Sequence, residues 1–396
     1  MSVRIAAEAV GAAVLVALLA GPLEAQERGI EGLPGEAVLE VEEEHTTAVL
    51  GEASPHWLYV LDPVFPHLIA SKVYVVDGDS RRILGMLNTG YVPNMALSAD
   101  GGAIYVAETY WSRGTRGERV DVITYYDGRT LEPVGETVLP RGRFLVVPKK
   151  PNLALTTDGR YLLSFNMDPA TTVSVVDVRE LRYVTDIEVP GCSLVFPTGP
   201  RSFSMLCPDG SFVDVAFEPD GRATVRDQEP FFDSEADPVF EHGVVSTADG
   251  RAFFVTYEGK VYEARPEDGR MRVVGEWSLL GRADRAESWR PGGWQLLAYH
   301  APTDRLFVLV HRGGRWTHKQ AGEEVWVFDA NARRRIARIP LEHHAITLSV
   351  SQDEAPLLFA LSEEASVTVI DATTYEVRGV VEGIGDSPFL TYVIGE

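Results

Sequence analysis

Val73-Tyr-Val-Val-Asp77 is a short β-rich run that ends at or just before an acidic turn, and the chain repeats it. The counterparts are Val122-Ile-Thr-Tyr-Tyr-Asp127, Val173-Ser-Val-Val-Asp177, Val213-Asp-Val-Ala-Phe-Glu218, Lys260-Val-Tyr-Glu-Ala-Arg265, Val325-Trp-Val-Phe-Asp329 and Val367-Thr-Val-Ile-Asp371, seven instances in all. From Asp77 to Asp371 the marker advances 294 residues in six steps, about 49 each. A second marker interleaves with it: Asp100-Gly101, Asp158-Gly159, Asp209-Gly210 and Asp249-Gly250, then Asp304 and Asp353. Asp-Gly favours tight turns because glycine accepts positive φ. Short strands rich in Val, Ile, Tyr and Phe between such turns read as β structure. A period of this length, with room for four strands per unit, is the signature of a propeller. One such sheet cannot bury both faces alone, whereas a ring of them can. The expected fold is therefore all-β, a seven-bladed β-propeller. A twisted sandwich is the rival; a β-helix needs a much shorter period.

Working outward, Ala37-Val-Leu-Glu-Val-Glu42 and Trp57-Leu-Tyr-Val60 are expected to feed the blade that the C-terminal segment completes. The step of 64 residues from Arg265 to Asp329 is the longest. It holds the best helical candidate, residues 278–288, and a loop over residues 289–300, both expected as an insertion on one blade.

The first 25 residues read as a secretory signal peptide. Arg4 supplies the charged start, residues 9–20 are apolar, and Ala25 fits the position before the cut. Twelve apolar residues are too few to span a bilayer comfortably. Residues 26–396 then form one propeller domain with a short N-terminal extension, in an exported, oxidising compartment. With 36 Lys+Arg against 58 Asp+Glu, the net charge is −22. That disfavours nucleic acid and anionic lipid surfaces as partners, since both require basic patches. The two cysteines, Cys192 and Cys207, flank a strand, a Pro/Gly turn and a strand. Export favours a disulfide between them; two unpaired buried thiols are the alternative.

The chain shows no recognisable catalytic set: it has no P-loop, no His-Glu-x-x-His and no nucleophile elbow. His343 and His344 are adjacent, so on a strand they face opposite ways and cannot share a metal ion. His300, His311 and His318 lie close in sequence, but isolated histidines near aromatics usually serve as structural hydrogen bonders. Lys149-Lys150 are two of five lysines and follow the composition. Tyr110-Trp111 and Ser288-Trp-Arg-Pro-Gly-Gly-Trp-Gln295 suit ordered loops or a surface packed against something else.

Several of these stretches carry a resemblance. They are Asp62-Pro63, Ser71-Lys-Val-Tyr-Val-Val-Asp-Gly78, Thr115-Arg-Gly-Glu-Arg119, the Cys192 to Cys207 segment with Phe196-Pro197 inside, Trp289-Arg-Pro-Gly-Gly-Trp-Gln-Leu-Leu-Ala-Tyr-His300, Trp316-Thr-His-Lys319 and Ser349-Val-Ser-Gln-Asp-Glu354. Together the chain resembles the large (heavy) subunit of the periplasmic quinoprotein amine dehydrogenases, the methylamine and aromatic amine dehydrogenases. The resemblance implies a seven-bladed propeller with one disulfide, paired with a small cysteine-rich subunit in a two-plus-two heterotetramer. It implies that tryptophan tryptophylquinone, made on the small subunit, oxidises a primary amine to aldehyde and ammonia. Electrons then pass to a blue copper protein. The large subunit frames the substrate channel and holds no catalytic residue. After the Asp-Pro motif a phenylalanine lines the channel in relatives, which makes Phe65 the candidate here; Pro66 departs from the pattern. Val73–Asp77 and Trp316–Lys319 lean toward the aromatic type, Trp289–Gln295 and Ser351–Glu354 toward the methylamine type. A stand-alone exported propeller that binds a protein partner, and a propeller hydrolase with an axial metal, are the other readings.

Overall fold

The computed structural model describes residues 49–396. The expected signal peptide and Ala37–Glu42 lie outside the described residues. The rest is almost wholly β, with one α-helical turn, Arg282–Ala286, and short 3-10 segments.

Each of the seven runs lies on a strand with antiparallel partners on both sides. The acidic residue works locally. Asp127 accepts the N–H groups of Arg129 (2.9 Å) and Thr130 (2.8 Å) in the next turn. Asp177 and Asp371 cap the same turn in their own sheets. This is the Asx-turn mechanism, and it explains why the marker repeats.

Hydrogen bonding gives five separate sheets of four or five strands and one continuous sheet of eight, not seven separate four-stranded blades. The physical reason is the strand Arg334–Val350. Its first half pairs with Gly322–Asp329 and its second half with Leu357–Ser362, so no break separates the two flanking sets. The Glu342-His-His344 stretch bulges out of both ladders, but Ala345 pairs with Gly322 on one side and Ser362 on the other and joins the two sets. The long step before Asp329 also differs from expectation. Residues 289–300 are not an insertion: Trp289–Pro291 and Leu297–His300 both pair with Arg305–Arg312 as one interrupted strand. At the interruption only glycine fits, because a Cβ on Gly292 would sit 2.2 Å from the His311 ring.

The sheets follow one another around an axis. Tyr91–Leu97 touches Leu153–Leu155, which touches Ser193–Gly199; Val244–Val245 touches Leu297–His300, which touches Arg334–Val350, which touches Leu390–Tyr392. The ring closes where Leu390–Tyr392 pairs with Trp57–Asp62, so the last strand and the first described strand share a sheet. Each neighbouring pair of sheets encloses its own hydrophobic cluster. In Trp57–Asp62, side-chain alternation sends Trp57, Tyr59 and Leu61 into one cluster and Leu58 and Val60 into the next. The architecture is an all-β propeller.

Candidate functional site

In these up-and-down sheets, the connections into the innermost strand and those between second and third strands fall at the same end of the ring. Phe65–Ala70 is a second-to-third connection, and so are residues 257–259 and 313–321. Trp294 and Phe389 each precede an innermost strand. Side-chain contacts bring them together. The Phe65 ring stands edge-on to Phe389, with centroids 5.0 Å apart. Phe389 lies 4.9 Å from Trp294, which packs 5.6 Å from His242. The Lys319 ammonium sits over Trp294 at 5.3 Å, a cation–π geometry. Beside this row His318 stacks on Tyr257 at 3.8 Å, and Tyr257 meets Trp316 edge-on. Phe65 is 40% exposed and Trp316 is 56% exposed, so the aromatic cluster presents faces to solvent. Burial, reinforced by Lys319, lowers the His318 pKa.

An axial cavity of about 490 Å³ runs along the innermost strands, from Lys150, Pro151 and His242 at this end to Ser98, Thr157 and Asp249 in first-to-second connections at the other. Innermost strands supply its apolar wall, including Leu97, Leu153, Phe196 and Leu297. Its polar lining includes Lys150, His242, Gln295 and Glu396 besides several Ser and Thr side chains. Lys150 Nζ donates to Glu396 Oε2 at 2.7 Å and lies over the Tyr392 ring. His242 Nε2 accepts the Lys150 backbone N–H at 3.1 Å, which makes Nδ1 the protonated nitrogen. Burial, then the charges of Lys149 and Lys150, push His242 down to about 3, so it is neutral. Gln295 imitates a strand edge: its Nε2 donates to Leu348 O (2.8 Å) and Thr391 O (3.1 Å), stitching three innermost strands together.

The structure thus unites Phe65, Trp294 and the Trp316–Lys319 stretch, which are far apart in sequence. It scatters other candidates. Cys192 and Cys207 form a disulfide, Cα–Cα 4.1 Å, between the residue before Ser193–Gly199 and the residue after Ser202–Leu206. Tyr110 is exposed, while Trp111 packs edge-on against Tyr91. Arg119 pairs with Asp121 at 2.9 Å. The three clustered histidines do not meet as a ligand set. His300 bonds Thr303 and Asp353 O, His311 bonds Thr317, and His318 stacks on Tyr257. His343 faces Glu364 at 3.2 Å. Trp289 and Trp326 lie 5.4 Å apart, but both are buried and covered by Arg312, Arg335 and Arg338. That pair is closed to solvent.

Sequence reasoning missed Phe389, His242 and Glu396. Phe389 had a usable signal, an aromatic directly after Asp386-Ser-Pro388. His242 and Glu396 had none, because their role comes from burial on the axis.

A sequence model of the family described as methylamine dehydrogenase heavy chain (MADH) matches residues 55–394. The methylamine dehydrogenase heavy chain of Paracoccus versutus is 37% identical over 336 residues, 84% of this chain and 78% of that protein. That of Methylophilus methylotrophus is 31% identical over 385 residues, 97% of this chain and 95% of that protein. Among solved structures, the β-propeller domain of Myceliophteria thermophila Cps50 (Swd1) superposes with a TM-score of 0.54 at 9% identity, over 82% of this chain and 95% of that one; this likeness is one of fold alone. Matched along nearly all of its described length, the chain belongs to the methylamine dehydrogenase heavy chain family.

Proposed function

We propose that this chain is the non-catalytic large subunit of an exported, periplasmic amine dehydrogenase that oxidises primary amines, methylamine first among them. A small cysteine-rich subunit docks on the aromatic end of the ring, in a two-plus-two heterotetramer. That subunit carries tryptophan tryptophylquinone, which supplies the electrophilic carbonyl and the electron sink when the complex is assembled. Electrons leave to a blue copper protein. The role of this chain is to present Phe65 and its neighbours beside the partner, narrow the amine passage and exclude bulky substrates. The observation that carries this reading is the convergence of Phe65, Phe389, Trp294 and Lys319 at one end, with Phe65 and Trp316 facing solvent. Heavy-chain family membership supports it, and so does the inaccessible Trp289–Trp326 pair. In this reading the eight-stranded sheet works as two blades fused through Arg334–Val350, so the ring has seven radial units.

The test is co-expression with a neighbouring reading frame for a small, exported, cysteine-rich protein. The expected result is a stable complex with quinone absorbance on the small chain and methylamine-dependent dye reduction. A chain that stays monomeric beside such a partner overturns the proposal and favours a stand-alone binding module.

A further inference from the structure

Asp62 is fully buried, and among the described residues no cation pairs with it. Its carboxylate is satisfied by donors from two loops at opposite ends of the chain. Oδ1 accepts the Val64 N–H at 2.8 Å and the Ser387 N–H at 3.2 Å; Oδ2 accepts the Asp386 N–H at 2.8 Å. The Ser387 hydroxyl donates to Oδ1 at 3.4 Å and accepts the Phe65 N–H at 2.8 Å. The carboxylate therefore holds the backbone of Phe65 on one side and the loop leading to Phe389 on the other. Two further features are built around it. Val64 adopts φ 46, which a β-branched residue reaches only when its surroundings impose it. Gly385 has φ +75, and a Cβ on it would lie 2.1 Å from Asp62 Oδ2.

We propose that Asp62 is a positioning residue for the amine passage: its buried carboxylate locks the Phe65–Phe389 pair and so sets how bulky an amine is admitted. This rests on the reading of Phe65 given above and deepens it. Asp62 touches no substrate. It acts by holding two loops in register, and charged acceptors make the strongest such ties. An asparagine of the same shape turns an N–H₂ toward backbone donors and breaks at least one of them.

The experiment uses the assembled enzyme with Asp62→Asn, Phe65→Ala and the double variant, and measures kcat/KM for methylamine and benzylamine. Hydrogen–deuterium exchange over residues 61–69 and 384–390 is followed in parallel. In Asp62→Asn, exchange should rise in both segments. The benzylamine-to-methylamine ratio should rise about tenfold, in the same direction as for Phe65→Ala, and the double variant should go no further than Phe65→Ala. If Phe65→Ala moves the ratio and Asp62→Asn does not, the positioning role is wrong and the passage reading stands. If Phe65→Ala leaves the ratio fixed, the passage reading fails and takes the specificity role with it. Unchanged exchange in both segments shows that the clamp itself does not exist. Should Asp62→Asn not fold, Ser387→Ala removes the hydroxyl between Phe65 and the carboxylate. A ratio unchanged in that variant overturns the proposal.

Discussion

Replacing Phe65 with alanine separates a gate from a packing residue. Complete burial of a phenylalanine side chain contributes about 1.5–3 kcal/mol. Phe65 is 40% exposed, so only part of that is at stake. The edge contact with Phe389 at 5.0 Å adds about 0.5–1.5 kcal/mol. The expected destabilisation is about 2 kcal/mol, below the roughly 3–5 kcal/mol of a core phenylalanine. In a domain of this size that lowers Tm by less than about 8 °C. The effect on selectivity should be larger. An apolar wall discriminates by about 1–3 kcal/mol, or roughly 10–200-fold in relative kcat/KM. The assay is steady-state amine oxidation by the assembled enzyme across a series from methylamine to benzylamine, beside a thermal unfolding curve. A Tm drop beyond about 10 °C with the amine ratio unmoved refutes the reasoning and makes Phe65 part of the fold alone.

Loss of the Cys192–Cys207 disulfide, which closes a sequence separation of 15 residues, should cost about 3 kcal/mol in urea unfolding of Cys192→Ala/Cys207→Ala. The unreduced, unfolded wild type should titrate no thiol. His56 bridges Asp79 (2.8 Å) and Asp353 (3.1 Å), and although burial alone depresses its pKa, the two carboxylates raise it above 6.5. Its stabilisation is full below pH 6.5 and is lost as pH rises through the raised value, so the stability gap between wild type and His56→Gln should shrink with rising pH; a pH-independent gap contradicts the bridge. His242 is held near 3 by burial, so the unfolded chain gains a proton there that the folded chain refuses. Stability should fall as pH drops from about 6.5 toward 3, and His242→Gln should flatten that acid limb; equal slopes in both proteins refute a buried neutral imidazole.

The strands were legible in the sequence because a physical device recurs with them. Asp127, Asp177 and Asp371 end a third strand and cap the turn after it, so acid and strand travel together. The continuous strand Arg334–Val350 was not legible, since Glu342-His-His344 is an unpaired polar bulge and the two halves are joined only through Ala345, which pairs with both Gly322 and Ser362. The helix expected over residues 278–288 shrank to Arg282–Ala286, too short to stand without tertiary support. In the site, Phe65, Trp294 and Lys319 could be picked out singly, by motif and by unusual glycine and tryptophan content. Their meeting could not be read, because it depends on which connections share an end of the ring. The buried neutrality of His242 is likewise a property of the axis and not of local sequence.

The two ends of the ring differ in regularity. At one end, tight turns are capped by aspartates. Asp100, Asp158 and Asp353 serve the first-to-second connections, and Asp77, Asp127 and Asp371 the third-to-fourth. Those turns repeat because every sheet needs the same reversal, and they are what makes the fold visible in the sequence. The other end follows the rule only in part: Asp209 caps the second-to-third turn of its sheet in the same way. Its connections differ in length and carry Phe65, Trp294, Trp316 and the Cys192–Cys207 bridge. A loop freed from turn chemistry can hold an aromatic outward, as the Phe65–Ala70 connection does with Phe65 once Asp62 and Ser387 tie its backbone down. Most of the residues that disclose the fold therefore sit at one end of the strands, and the exposed aromatic cluster of Phe65 and Trp316 sits at the other.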